Sequence, residues 1–496
     1  VLKVNIHGIP LLQSKKGMVK ERVVLWFRQD LRLHDNEALY QALKQAREIV
    51  PVFVLDERQI QGKTKFGFPK MGSFRCKFLL ESIADLRNSL RLHGADLIVR
   101  MGIPEVVIRD LAAETRSTAV FCNRERTSEE VAVQDALEKM LWLDGRELVY
   151  FRGKMLFHTA DLPFPVAHTP DIFTHFRKEV ERIVPVREPL PAPNQVFTPL
   201  TVSLESGMVP TMASLGMEDV DNAGLTGFIG GESAALERLS YYLWESERIL
   251  EYKETRNGLL GRDFSSRFSP YLAMGCLSPK TIYHEIRRFE RERRANESTY
   301  WLVFELLWRD FFRLMGKKYK DAIFRLGGPR NVDTSAFRYD ESLFWKWANG
   351  ETGVPFIDAN MRELNKTGFM SNRGRQVVAS FLAKEMRINW VAGAEYFESL
   401  LLDYDVCSNY GNWNYVAGVG SDPREDRIFN VQSQASRYDA SGSYTRRWLP
   451  ELSSVPPERL LQFPSLDAKE LVSYGVYLGS NYPKLLTRKP SFSGPT

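Results

Sequence analysis

Cysteine is scarce. The four in 496 residues (Cys76, Cys122, Cys276 and Cys407) are scattered, with no pair at C-x-x-C spacing. That scatter favours a reducing compartment and argues against a cysteine-rich zinc or iron–sulfur site; no metal is expected. Histidine is also thin, with seven residues spread along the chain and no H-E-x-x-H pair. No apolar run reaches the length of a membrane span. No G-x-G-x-x-G follows the first strand-like run, which argues against a Rossmann dinucleotide site. G-x-S-x-G and kinase signatures are missing too. The "GKT" at 62–64 lacks the earlier glycine of a phosphate loop, because Glu57 stands there. Excess charge is small. A net +5 does not demand nucleic acid but permits a basic face. The run "RRFERERRANE" at 287–297 reads as a solvated helix face.

The length is enough for two or three domains, and 44% hydrophobic with 26% charged residues is ordinary for a soluble globular protein. "RVVLWF" at 22–27, "IVPVFVLD" at 49–56, "ADLIVR" at 95–100, "TAVFCNR" at 118–124 and "RELVYF" at 146–151 read as strands. Helical patterns at 72–92, 104–115 and 128–143 lie between them. Strands alternating with helices predict βαβ units and a parallel, Rossmann-like sheet, whose ligands sit beyond the carboxyl ends of the strands. Residues 183–230 are rich in Pro, Gly, Ser and Thr and read as a connector. From about 231 onward apolar residues recur at helical spacing. The expected organisation is an extension (1–20), an α/β domain (21–160), a linker (161–230), a larger all-α domain (231–480) and a tail (481–496). The extension, basic and without acids, is a transit-peptide remnant or a disordered lead-in before Met18.

Several polar groups interrupt the apolar helices of the second half, which is costly unless they meet partners. "FSSRFSP" at 264–270 offers hydroxyls and N–H groups suited to phosphate, although alone it is an ordinary helix cap. "ELLWRDFF" at 305–312 sets Glu305, Trp308 and Arg309 at helical spacing. "NRGR" at 372–375 adds an amide and two guanidiniums. "DYDVCSNYGNWNY" at 403–415 crowds carboxylates, amides and rings. Carboxylates accept from a heterocycle's N–H or a ribose hydroxyl, arginine neutralises phosphate, and Trp and Tyr stack or give up an electron. Together they suit a buried dinucleotide with a redox-active ring, a flavin.

These stretches, with "WFRQDLRLHDNEAL" at 26–39, "YKETRNG" at 252–258, "SSRFSPYLAMGCLSP" at 265–279, "FELLWRDFFR" at 304–313, "DANMRELNKTGFMSNRGRQVVASFL" at 358–382 and "DPREDRIFN" at 422–430, resemble the photolyase/cryptochrome flavoproteins. Within that family, "SNRGRQ" and "NYGNWNY" resemble the DASH type. The likeness runs from about 22 to 480.

The resemblance implies FAD, folded into a U among the C-terminal helices, and an antenna pigment on the α/β domain, a folate of the 5,10-methenyltetrahydrofolate kind. Carried over by position, Tyr252, Ser265, Ser266, Arg267, Phe268, Ser269 and Arg309 surround the FAD phosphates and ribityl chain. Asn372 joins the cofactor wall. Arg375 pairs with Asp403 beside the isoalloxazine, Asp405 accepts from the flavin or its ribose side, and Asn409 faces flavin N5. Trp413 is the ring nearest the flavin, with Trp390 next outward. The family's third, surface tryptophan falls on Phe337, which is too hard to oxidise to act as a relay; Trp345, Trp347 and Tyr339 are the candidates to replace it. A lesion pocket is implied from Glu305, Trp308, Asn372, Arg373, Gln376 and Tyr415, with Arg256 and Gln434 near the nucleic acid. Glu125 is the candidate antenna contact.

The implied function is a deoxyribodipyrimidine photolyase. Excited, reduced FAD gives an electron to a cyclobutane pyrimidine dimer, and the electron returns once the dimer has split. Gln376 and Tyr415 make the pocket more polar than in typical duplex photolyases. Because flipping a base from a single strand costs less than from a duplex, single-stranded DNA is the expected partner, with RNA a further one. A monomer is expected. The location would be cytoplasmic in a bacterium, and chloroplast or mitochondrion in a eukaryote. The alternatives are a blue-light photoreceptor that regulates through nucleic acid, and a light-independent flavin oxidoreductase, for which no nicotinamide motif is found.

Overall fold

The computed structural model describes residues 19–194, 197, 199–421 and 427–486. Most of the extension, the end of the tail and the start of "DPREDRIFN" lie outside the described residues. The expected strands form: β1 (Lys20–Phe27), β2 (Ala46–Asp56), β3 (Ile98–Gly102), β4 (Ala119–Asn123) and β5 (Glu147–Phe151). They make one parallel sheet in the order β3-β2-β1-β4-β5. Alternation along β1 sends Val23, Leu25 and Phe27 into one core and Val24 and Trp26 into another. Helices α1 (Glu37–Gln45) and α2 (Ser73–Leu92) cover the first face, while α3 (Pro104–Glu114) and α4 (Ser128–Leu143) cover the second. A capping box starts α4: Thr127 accepts from the chain at Glu130, and the Glu130 carboxylate reaches back.

The segment 161–230 is more than a connector. It carries α5 (Phe173–Ile183), whose buried Phe173, Phe176 and Val180 pack on the helical half. The Phe173 ring stacks on Trp308 at 3.7 Å, with planes 8° apart. The spacing of these aromatics is helical, but they sit outside the long amphipathic runs that mark the other helices.

In the second half, α6 (Glu232–Ser240) passes into one wide π turn at Tyr241–Glu245. The chain then breaks at Glu247, which takes a left-handed φ of +48°. The helical spacing of this stretch is therefore realised as two runs, 232–245 and 248–255, on either side of that break. Helix α7 (Pro279–Glu292) carries the expected solvated face, with Arg287 pairing Glu290 and Arg288 pairing Glu292. Helix α8 (Glu297–Tyr319) is the spine, buried along Leu302, Leu306, Phe311 and Leu314. Helix α13 (Val406–Ala417) packs along it, and α9 (Glu341–Ala348), α10 (Pro355–Thr367), α11 (Asn372–Ser380) and α12 (Trp390–Leu400) gather with α13 around a second apolar core. Gly411 lets α13 press on α8, since a Cβ there would strike the Phe312 ring. Among the described residues no helix is long and apolar enough to cross a membrane. The four cysteines are buried and unpaired, and no metal-ligating cluster occurs among the described residues.

The two halves share one apolar core, which runs from β1 to α8. Buried charge ties them further. Asp310 of α8 accepts from the backbone N–H groups of Leu156 (3.1 Å) and Phe157 (2.9 Å), just beyond β5. Arg313, one turn on, pairs with Glu125 at 3.2 Å, and Glu125 pairs with Lys154. Burial would raise the Glu125 carboxyl, but Lys154, Arg28 and Arg313 outweigh it and hold it at about 2. Removing one partner from such a network leaves an uncompensated buried charge. Arg313→Met is expected to cost about 3–5 kcal/mol in urea unfolding, and adding Glu125→Gln is expected to restore part of it. A loss within error of zero would mean that the pair does not join the halves.

Candidate functional site

A cavity of about 650 Å³ opens among the C-terminal helices, well inside the size range of small-molecule sites. Its walls come from the short helical turn at Asn222–Thr226, the 256–269 segment and helices α8, α10, α11, α12 and α13. Of the residues singled out from the sequence, Tyr252, Arg256, Ser265, Ser266, Arg267, Phe268, Ser269, Glu305, Asn372, Arg375, Gln376, Asp403, Asp405, Asn409 and Trp413 all line it.

The hydroxyl-rich wall is held from behind. Arg238 donates to the carbonyls of Arg262, Ser265 and Ser266 and pairs with Asp263 at 2.8 Å, so the 262–266 backbone is pinned by one guanidinium. Arg267 takes a left-handed φ of +59°, donates to the Thr226 carbonyl at 2.6 Å and lies over the Phe228 ring.

The opposite wall is acid and amide. Arg375 on α11 donates to the Met370 carbonyl at 2.9 Å and to Asp403 Oδ2 at 2.9 Å. Asp403 Oδ1 is buried and has no partner. Asp403 is among the residues lining the cavity, and a buried carboxylate oxygen without a partner calls for an N–H or O–H donor. Asp405 caps α13 by accepting from the Ser408 N–H at 2.8 Å, and takes a 3.1 Å contact from Arg313. Burial acts to raise its carboxyl, but Arg313 and then Arg309 hold it below the ordinary range. Asn409, one turn along α13, commits Nδ2 to the Ala394 carbonyl at 3.0 Å, which fixes the amide. Trp413 follows at the next turn. Its ring fits only because Gly393 has no side chain.

At the mouth, Glu305 is paired with Arg256. Burial raises the Glu305 carboxyl, and Arg256 offsets this only in part. Gln376 presents a buried Oε1 with no partner. Trp308 and Tyr415, both expected at the pocket, are not among its lining residues; Trp308 stacks on Phe173 and stands edge-on to Tyr415 at 5.8 Å. Arg373 reaches Asn257 at 3.5 Å and lies over the rings of Phe429 and Tyr438. Gln434 keeps a buried, unpartnered Oε1. Trp390 lies deeper, its indole N–H donated to the Leu326 carbonyl at 2.9 Å.

Arg309 departs from the expected arrangement. Its guanidinium is spent on the carbonyls of Lys154 (2.9 Å) and Leu272 (3.2 Å), away from the cavity lining. Its position on α8 points it at the seam between the halves, so it reaches the site only through its charge on Asp405. In turn, the sequence reading missed Glu363, Arg447 and Trp448, which also line the cavity. Glu363 lies inside the stretch 358–382. Its signal is an acid one helical turn from buried Asp358 and Ala359, on a helix otherwise committed to the core.

A second cavity, of about 610 Å³, lies beyond the carboxyl ends of β1 and β2 and is closed by Glu398, Tyr404 and Tyr410 from the helical half. Arg28 covers the Trp26 ring at 4.5 Å there, and Arg75 covers Tyr404 at 4.5 Å. Glu125 borders this cavity, but Lys154 and Arg313 engage both of its carboxylate oxygens.

Residues 23–194 match the family model described as DNA photolyase, and residues 301–489 match the FAD binding domain of DNA photolyase. A relative named Cryptochrome DASH, from Synechocystis sp., is 47% identical over 467 residues, covering 94% of this chain and 95% of that protein. The crystal structure of a Synechocystis sp. PCC6803 cryptochrome superposes with a TM-score of 0.91 at 46% identity, covering 95% of this chain and 97% of that one. An archaeal photolyase from Sulfolobus tokodaii, described with two FAD molecules, gives 0.76 at 27% identity, with 94% and 96% covered.

Glu363 supplies a test of the cavity wall. Burial lifts its carboxyl from an ordinary 4.5 to about 7, against the Tyr444 hydroxyl (2.7 Å) and Arg267. Between those values the native state holds a proton that the unfolded chain has released, so stability falls as pH rises through this window. Glu363→Gln is expected to flatten that part of the curve of urea midpoint against pH in ligand-free protein. An unchanged slope would contradict the assignment.

Proposed function

The chain belongs to the DNA photolyase family and, within it, to the DASH cryptochromes, and from that premise we propose that it uses blue light to split cyclobutane pyrimidine dimers, preferentially in single-stranded DNA. FAD, when bound in the larger cavity and reduced, supplies the light-driven electron for this chemistry.

The observation that carries the reading is the unpaired Asp403 Oδ1 beside the Arg375 contact. It suits a ring edge that offers an N–H to the carboxylate while the guanidinium faces a carbonyl. Ser265, Ser266, Arg267 and Ser269 on the far wall suit a diphosphate and its sugar alcohols. Asn409 is the neutral group for the ring's central nitrogen. Asp405 is already engaged by Ser408 and Arg313, so it acts mainly as a fixed negative charge. This leaves Arg309 out of the cofactor set.

Glu305 and Arg256 are the groups for the dimer. A carboxyl whose proton affinity is raised by burial takes up a proton readily and then donates to a pyrimidine carbonyl. Arg256 is freed by that protonation to meet a phosphate. The dimer would leave the strand to reach them, flanked by Trp308 and Tyr415, with Asn372 and Gln376 offering hydrogen bonds and Arg373 and Gln434 near the strand. The polar lining supports single-strand preference, because it returns less apolar contact against the cost of unstacking and unpairing a duplex.

The second cavity suits a light-harvesting chromophore, a folate in our reading, with Glu125 as part of its rim. The Sulfolobus tokodaii photolyase is described with two FAD molecules and a novel light-harvesting cofactor, so a second flavin is the competing occupant. Chromatography of heat-released pigments separates the two.

Glu305→Gln is expected to lower the repair quantum yield by roughly tenfold or more while leaving affinity for dimer-containing oligothymidylate within about twofold. Equal losses in both would contradict the role given to Glu305. Repair of a fully paired duplex as fast as the single strand would contradict the substrate preference.

A further inference from the structure

Resting on the flavin reading above, we infer that electrons reach the site from the surface along Trp345, Tyr396, Trp347 and Trp413, a path that bypasses Trp390.

The rings form an unbroken series. Trp413 meets Trp347 with centroids 6.3 Å apart, Trp347 meets Tyr396 at 6.1 Å, and Tyr396 meets Trp345 at 6.0 Å. Trp413 lines the cavity and is 2% exposed, Trp347 is fully buried, and Trp345 is 39% exposed. The series therefore links the cavity wall to solvent. The other branch stalls. Beside Trp390 stands Tyr410 at 6.4 Å, then Phe324 at 4.6 Å from Tyr410. Phenylalanine is too hard to oxidise to carry a hole.

Proton chemistry gives the path a direction. An oxidised indole is a strong acid, and losing its proton traps the hole. The Trp347 N–H is donated to the Val378 carbonyl at 3.0 Å, which is no base, so the hole there stays mobile. The Tyr396 hydroxyl donates to the Asn365 amide oxygen at 2.8 Å, which also cannot take its proton. Tyr396 thus bridges the indoles without holding the charge. Only Trp345 can release its proton to water. With a flavin bound, Trp413 would supply it with one electron under light, and the hole would move outward to Trp345, which would lose its N–H proton. A dissolved thiol then returns one electron and one proton to Trp345 and leaves as a thiyl radical. The net change is one electron moved from thiol to flavin.

The test uses the full chain with its flavin, and Trp345→Phe, Trp347→Phe and Trp390→Phe variants. Transient absorption and pulsed EPR read the yield of the long-lived tryptophan radical and its distance from the flavin. Trp345→Phe and Trp347→Phe are each expected to cut that yield by roughly tenfold, and Trp390→Phe to change it by less than about twofold. Full yield in Trp347→Phe, or its collapse in Trp390→Phe, would overturn the path. If Trp347→Phe does not fold, Trp345→Phe decides, because its ring lies at the surface. Flavin content, read first, separates the two claims: purified protein without flavin would overturn this path and the proposed function together, whereas flavin-loaded protein with unchanged radicals overturns the path alone.

Discussion

The guanidinium of Arg313 is the joint of this molecule. It is buried, and it meets Glu125 from the sheet and Asp405 from the cavity wall. Three buried charges in one place are expensive, and the cost is offset only if each is held in position. That requirement sets much of the geometry around it. Asp405 must stand at the start of α13, where it also accepts from Ser408 and fixes the phase of the helix. The phase then decides that Asn409 and Trp413, one and two turns on, face the cavity. On the other side, Glu125 ties Lys154 and the end of β5 to the spine of the helical half.

The same physics sorts the acids into roles. Asp405 and Glu125 are surrounded by cations and stay charged. Glu305 and Glu363 also face arginines, but burial wins and their proton affinities rise. The cavity is therefore permanently charged at its base and adjustable at its mouth and far wall. A site that holds one molecule firmly and admits another transiently has use for both.

Local pattern was legible in the sequence wherever one element decided the outcome. The five strands and α2, α3 and α4 fall within a few residues of the apolar runs that announced them, because a sheet buried on both faces leaves little choice of residue. The crowded segment 403–415 was legible as the wall of a cavity, since carboxylates and amides so close together need partners. What could not be read was pairing at a distance. Arg309 and Arg313 stand four residues apart on one face of α8, and sequence gives no reason to prefer either. Their roles are set by what lies opposite: two carbonyls for Arg309, and for Arg313 an acid 188 positions away. Trp347 was one of three candidates for an outer relay. Only packing reveals that it touches Trp413, and that Tyr396, from another helix, links it to Trp345.

The apolar core that passes without interruption from β1 into α8 has a consequence for ancestry. Two segments that look modular along the chain are not modular in energy, because each leaves a large oily face bare when its neighbour is removed. Lineages inheriting this architecture would be expected to keep or discard both parts together, and gene fragments encoding one part would yield insoluble products rather than a simpler ancestor.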